Sequence, residues 1–222
     1  MVAVPPDEQQ APAVPMSPRA IVGIATLSLG SFLVGAMLTV VIPVLPNIAR
    51  DMGGGGNGSD VAVAVQMLIA MPMLGLVLGG FGAGLLFRHF QPRTVFLGGL
   101  VAYGLIGVAG HGLSLPLLVG SRLLIGIVAA VIAAASTALV GERVPEAMRP
   151  RVLGWSVAGA AALGIVAMIA SGRIADAYGW RSSFLLFPVI AGLMFALVAT
   201  CSAPSAEGPR ETSAQGRDWH GL

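Results

Sequence analysis

Lysine, cysteine and charged residues in general are scarce in this 222-residue chain. Charged residues make up only 10% of it, whereas an ordinary soluble domain carries about 25%. The twelve basic residues are all arginine. Cys201 is the only cysteine, so a disulfide within the chain and a cysteine metal cluster are excluded. The net charge of +2 comes from dispersed arginines, which form no basic surface for nucleic acid.

Enzyme signatures are missing as well. The sequence has no His-Glu-x-x-His zinc motif, no Gly-x-x-x-x-Gly-Lys phosphate loop and no serine elbow. Its apolar stretches contain no interior aspartate or glutamate, so they lack the polar set that a membrane enzyme needs. We therefore expect no catalytic residue, no cofactor and no metal.

Long apolar stretches fill most of the chain, and 56% of its residues are hydrophobic. A helix needs about 20 apolar residues to cross the ~30 Å hydrocarbon layer, where every backbone polar group must be paired within its own segment. The sequence therefore predicts an all-α protein embedded in a lipid bilayer. Its six predicted transmembrane spans are 21–45, 61–87, 94–113, 115–140, 152–174 and 182–201.

The second half of the chain repeats the first. Residues 84–97 match residues 172–185, with Arg93 over Arg181 and Phe90 over Tyr178. Each repeat, about 21–113 and 115–201, holds three spans, and three is an odd number of crossings. The two repeats must therefore lie in the bilayer with opposite orientations, an arrangement typical of transporters.

Arginine placement predicts the orientation. Residues 1–20 are rich in proline and read as a disordered tail, and residues 202–222 form a second polar tail. The positive-inside rule assigns the arginine-rich side to the cytoplasm. We therefore expect the inner (plasma) membrane of a bacterium, with both tails cytoplasmic. The richer side has Arg19, Arg88, Arg93, Arg143, Arg149, Arg151, Arg210 and Arg217, and the other side has Arg50, Arg173 and Arg181.

Four segments resemble the amino-terminal half of a major facilitator superfamily transporter, closest to the drug:proton antiporter type. Residues 39–51 are similar to the exit of the family's first helix, and residues 84–93 to its signature loop between helices two and three. The run 122–126 resembles the fourth-helix motif, and 179–184 the entry to helix six. The likeness spans roughly residues 20–200 and implies half of a major facilitator fold.

The signature loop departs from the family pattern. The family usually has an aspartate where Arg88 stands, a glycine at Gln91 and a basic residue at Pro92. The resemblance implies that this aspartate latches the two halves, so the superfamily is better supported than its antiporter branch. The gating-loop candidates are Gly84, Arg88, Arg93, Asp176 and Arg181.

Arg122 is the one charged residue well inside a predicted span, where a charge costs about 2.5–3.5 kcal/mol at the helix centre. It is expected to face a cavity or a protein partner, or else to extend its head to the outer interface. The resemblance implies a role in substrate binding or proton coupling. The other cavity candidates are Gln66, Ser31 and Thr39.

Small residues predict close helix packing. The glycines chosen for this role are Gly75, Gly79, Gly80, Gly126, Gly159 and Gly164.

A superfamily transporter resembles two six-helix bundles with the small-molecule substrate between them, and this sequence supplies one bundle. Three hypotheses stay open. The chain pairs with itself or with a separately encoded half, it is a truncated fragment without transport, or it is a small membrane assembly or regulatory protein.

Overall fold

The computed structural model describes residues 29–53, 58–144 and 146–201. Over these ranges the regular structure is helical, without strands, and six helices are long and apolar enough to cross a membrane. The predicted tails, 1–20 and 202–222, lie outside the described residues, as do residues 21–28 of the first predicted span.

Span 1 is built from four short pieces, namely the 3-10 turn Leu29–Ser31, the α-helix Phe32–Thr39, the 3-10 turn Ile42–Val44 and the α-helix Leu45–Gly53. The remaining spans are longer. They are span 2, Gly58–Leu86; span 3, Pro92–Ala109; span 4, Leu115–Arg143; span 5, Arg149–Tyr178; and span 6, the 3-10 helix Trp180–Leu185 followed by the α-helix Leu186–Cys201.

Prolines explain why span 1 runs past residue 45, its predicted end. Pro43 and Pro46 each lie at the second position of a new helical piece, where proline is tolerated because no intrahelical donor is needed there. They interrupt the helix without ending it. Gly179 separates spans 5 and 6 with φ 85°, a conformation that favours glycine.

Three helix contacts follow the inverted repeat, whereas the close contact of span 3 with span 4 has no comparable counterpart between spans 6 and 1 among the described residues. Span 2 packs on span 4, span 5 packs on span 1, and span 3 packs on span 6. Exchanging the repeats turns spans 1, 2 and 3 into spans 4, 5 and 6, so the 2–4 pair becomes the 5–1 pair and the 3–6 pair maps onto itself. Span 4 is the most enclosed helix and span 5 the least.

Candidate functional site

Arg122 is fully buried inside the bundle. Its guanidinium carbon lies 4.6 Å from the ring centre of Phe184 and 5.2 Å from that of Phe187, both on span 6. A Cβ added to Gly110, the residue that caps span 3, would lie 2.9 Å from its Nη2 atom. Among the described residues none of the three guanidinium nitrogens has a hydrogen-bond partner. The side chain thus faces protein, enclosed by spans 3 and 6.

The surroundings of Arg122 compensate its charge without a carboxylate. A desolvated cation–π contact contributes about 2 kcal/mol, and a cation at a helix C-terminus gains up to about 2 kcal/mol when partly buried. Two rings and the end of span 3 offset part of the cost of burying this charge, which is about 2.5–3.5 kcal/mol for insertion alone and is increased by the unpaired guanidinium nitrogens. The charge is tolerated in this position, with little net gain in stability.

One face of span 6 carries a row of aromatic side chains, Trp180, Phe184 and Phe187. The rings of Trp180 and Phe184 meet edge to face at 6.0 Å, and those of Phe184 and Phe187 stack at 6.2 Å. Tyr103 of span 3 meets Phe187 edge to face at 5.6 Å and donates its hydroxyl to a span 1 carbonyl, that of Leu33, at 3.0 Å. Sequence reasoning missed Phe184 and Phe187, although their spacing with Trp180 places all three on one helix face.

One end of the bundle carries His111 and is called the His111 end. Polar contacts connect the helices there. Trp180 Nε1 donates to Asp51 Oδ2 over 2.6 Å, which joins span 6 to span 1. Arg181 lies over the Trp180 ring and donates from Nη1 to the carbonyls of His111, at 3.1 Å, and Leu113, at 3.2 Å. His111 Nδ1 lies 3.1 Å from the Arg181 carbonyl, and it must carry a proton there because a carbonyl only accepts.

The gating-loop candidates lie at opposite ends of the bundle. Gly84 precedes the turn between spans 2 and 3, Arg88 lies in that turn, and Arg93 follows it. All three are exposed, and this end of the bundle is called the Arg88 end. Asp176 is exposed near the end of span 5, and Arg181 belongs to the His111 end. The structure therefore brings Arg181 together with His111 and not with Arg88.

The interruption of span 1 is repaired by span 5. Proline has no N–H, so Pro43 cannot donate to the Thr39 carbonyl, and the helical ladder breaks at Val40. The hydroxyl of Ser171 donates to the Val40 carbonyl, and Ser183 Oγ donates to the Ser171 carbonyl over 2.9 Å. Both serines are buried. A membrane interior supplies no water, so the Ser171 hydroxyl gives the Val40 carbonyl a donor from the neighbouring span.

A cleft of about 230 Å³ opens beside this interruption, between spans 1 and 5. Gly35 and Thr39 line it from span 1, and Ala160, Gly164 and Met168 are among the span 5 residues that line it. The Thr39 hydroxyl oxygen is buried and has no hydrogen-bond partner among the described residues. The Thr39 methyl carbon would lie 3.5 Å from a Cβ added to Gly164, so the methyl group faces span 5.

The predicted polar residues are not gathered at one site. Ser31 is half-buried where the first α-helix of span 1 begins, and Thr39 borders the cleft. Gln66 is exposed on span 2 and Arg122 is enclosed, so these two do not share a surface. A role for these residues in binding or coupling stays a prediction.

Glycines make the contact between spans 2 and 4. An added Cβ at Gly75, Gly79 or Gly126 would come within 3.0 Å of the backbone of the opposite span. Gly164 lies against Thr39, and Gly159 is half-buried on span 5. A Cβ at Gly80 would meet no described atom within 4 Å. Gly80 thus points away from the span 4 contact.

Comparison with known proteins adds a family and a fold. The family model described as Major Facilitator Superfamily matches residues 27–221. The multi-drug resistance efflux pump PmrA of Streptococcus pneumoniae is 27% identical over 165 residues, which are 71% of this chain and 39% of that protein. The efflux pump apf11 of Gibberella fujikuroi is 27% identical over 222 residues, 96% of this chain and 37% of that protein. The chain thus spans well under half the length of these relatives.

A solved structure shares the helix arrangement. The crystal structure of a D-xylose-proton symporter aligns with a TM-score of 0.63 at 18% identity, over 82% of this chain and 47% of that one. At this identity the likeness concerns the fold alone.

Proposed function

The chain belongs to the major facilitator superfamily, and from that premise we propose that it moves small molecules across the membrane by alternating access, as one six-helix half of an efflux-type transporter. Efflux is favoured because two relatives that it matches, a bacterial and a fungal protein, are both named efflux pumps. The proposed location is the bacterial plasma membrane, with both tails in the cytoplasm.

The exposed amide of Gln66 carries this proposal. Gln66 shares a face of span 2 with Gly80 and Gly84. Gly80 follows Gln66 by 14 residues and Gly84 follows Gly80 by 4 residues, and both spacings are close to a whole number of helical turns. Neither glycine would bring a Cβ within 4 Å of a described atom. An amide at membrane depth is unfavourable against lipid and is expected to adjoin protein or a water-filled cavity.

A second six-helix unit would cover this face of span 2 and enclose a substrate between the two units. That unit is a second copy, a separate chain or a further part of a longer protein. A cysteine in place of Gln66, in a Cys201→Ser background, tests the first of these. Disulfide crosslinking in the membrane would yield a dimer if the unit is another copy, and only monomer if it is not.

Transport is tested by expressing the chain in bacteria that lack their own drug pumps and measuring the accumulation of ethidium. We expect lower accumulation than in cells without the chain, and loss of the effect in Gln66→Leu. The control is Gly192→Leu, an exposed span 6 position at which a Cβ meets no described atom within 4 Å. Unchanged accumulation despite normal membrane levels would favour a truncated fragment or an assembly factor.

A further inference from the structure

The cleft between spans 1 and 5 has the size and the lining of a ligand site. We propose that it binds a neutral, mainly apolar molecule of one or two aromatic rings that carries a single hydrogen-bond donor. The inference rests on the proposed transport function for its role, and it names the class of compound that would be carried.

Volume limits the ligand. A dry apolar cavity of about 150 Å³ suffices for benzene, and typical drug-sized pockets occupy about 300–1,000 Å³. At about 230 Å³ the cleft falls between these two sizes. It is therefore suited to a molecule the size of a two-ring aromatic.

The lining determines polarity. Its side chains are those of glycine, alanine, isoleucine and methionine, with Thr39 as the only polar member. A charged ligand would lose its hydration on entering the cleft and would meet no opposite charge among these lining residues, which is strongly unfavourable. The ligand is therefore neutral where it contacts the cleft.

Thr39 supplies the one polar contact. Its methyl group now faces Gly164, while its hydroxyl oxygen is buried and lacks a partner among the described residues. Threonine has two favoured χ1 rotamers in a helix, and a rotation of about 120° can bring the hydroxyl to the position that the methyl group now occupies. That rotation turns an acceptor oxygen toward the cleft.

The local backbone favours a donor as well. Pro43 has no N–H to donate to the Thr39 carbonyl, so this backbone oxygen remains an acceptor at the interruption of span 1. A donor group of the ligand is thus attracted to the same end of the cleft as the Thr39 hydroxyl. An acceptor group would be disfavoured there.

Equilibrium dialysis of the full chain in lipid nanodiscs tests the site with two probes, 2-naphthol and naphthalene. The non-saturable uptake of protein-free nanodiscs is subtracted. We expect saturable binding of 2-naphthol, with naphthalene about two- to tenfold weaker because it lacks one hydrogen bond. Absence of saturable 2-naphthol binding would overturn the proposal.

Two substitutions locate the binding. Gly35→Leu should abolish it by filling the cleft, and should fold because a Cβ there meets no described atom within 4 Å. Gly192→Leu makes the same change on span 6 and should leave binding intact. Thr39→Val should weaken only 2-naphthol, to the level of naphthalene, and Thr39→Ser should restore it. Binding that survives Gly35→Leu, or equal weakening of both probes in Thr39→Val, would contradict the site.

Accumulation of ethidium and of 2-naphthol, which is neutral, in cells that carry the same variants separates the two proposals. If binding behaves as expected but neither the unsubstituted chain nor any variant lowers accumulation, the proposed ligand site is supported and the proposed transport function is contradicted. If the unsubstituted chain lowers accumulation but 2-naphthol does not bind, the function stands and the cleft fails.

Discussion

The guanidinium carbon of Arg122 lies 4.6 Å above the ring centre of Phe184, and none of its three guanidinium nitrogens has a hydrogen-bond partner among the described residues. Two rings and a helix end offset no more than the insertion cost of the charge, and the unpaired nitrogens add to that cost, so the bundle gains little stability from Arg122. A residue that is costly to bury and contributes little to stability is a candidate for function.

Substitution of Arg122 separates stability from transport. We expect Arg122→Met to change the free energy of unfolding by no more than about 1–2 kcal/mol, since the lost cation–π contacts and the lost charge cost offset each other. Ethidium efflux should fall at least tenfold. Unfolding in detergent and efflux from cells with matched membrane levels measure the two effects. Full efflux in Arg122→Met would remove Arg122 from the functional site.

Substitution of Phe184, whose ring contacts Arg122, tests the cation–π contact separately. Phe184→Leu removes a fully buried ring and leaves the guanidinium with less compensation, so we expect a loss of about 2–4 kcal/mol in the free energy of unfolding. Phe195→Leu on the same span is the control, since Phe195 is 38% exposed. In an Arg122→Met background the cost of Phe184→Leu should shrink. An unchanged cost would show that the cation–π contact contributes nothing.

The contact between spans 2 and 4 predicts that substitutions of different glycines will differ strongly in their effect on stability. A Cβ at Gly126 would come within 3.0 Å of Pro72 backbone atoms, which cannot move aside as a flexible side chain does. Gly126→Leu should therefore destabilise by at least about 1–3 kcal/mol or prevent folding. Gly98→Leu, on an exposed face of span 3 with no described atom within 4 Å of a Cβ, should be nearly neutral. Thermal unfolding in detergent compares the two, and equal stability would contradict the packing.

Hydrophobic runs were sufficient to predict the six spans, because length and apolarity alone decide whether a helix can cross a bilayer. They could not predict the partners of Arg122, which lie on span 6, more than 60 residues away. The spacing of Trp180, Phe184 and Phe187 was the available signal. To use this signal, one must already know that span 6 packs beside Arg122 of span 4. The packing of distant spans is tertiary information that the sequence pattern does not contain.

The same limit applies to glycines and prolines. Gly75, Gly79 and Gly80 look alike in the sequence, yet only the first two face span 4, because a helix turns 100° per residue and Gly80 points elsewhere. Pro43 and Pro46 interrupt span 1, and because each lies at the start of a new helical piece, the span continues to Gly53.

The hydrogen bond between Trp180 and Asp51 should hold spans 6 and 1 together at the His111 end. Trp180→Phe keeps most of the ring but loses the indole N–H, so we expect a loss of about 1.5–3 kcal/mol, the value for hydrogen bonds to charged groups. Asp51→Asn retains an acceptor and should cost less. A double-mutant cycle with Asp51→Ala measures the coupling by unfolding in detergent. Additive effects would show that the bond contributes no stability.

Labelling of the two turns tests the orientation of the bundle. Gly112, at the His111 end, and Gln91, at the Arg88 end, are exposed, and each can carry a cysteine in a Cys201→Ser background. Because arginines are concentrated at the Arg88 end, the positive-inside rule predicts that this end lies in the cytoplasm. A membrane-impermeant maleimide applied to intact cells should therefore react with Gly112→Cys and reach Gln91→Cys only after the cells are opened. The reverse pattern would contradict the proposed location of both tails in the cytoplasm.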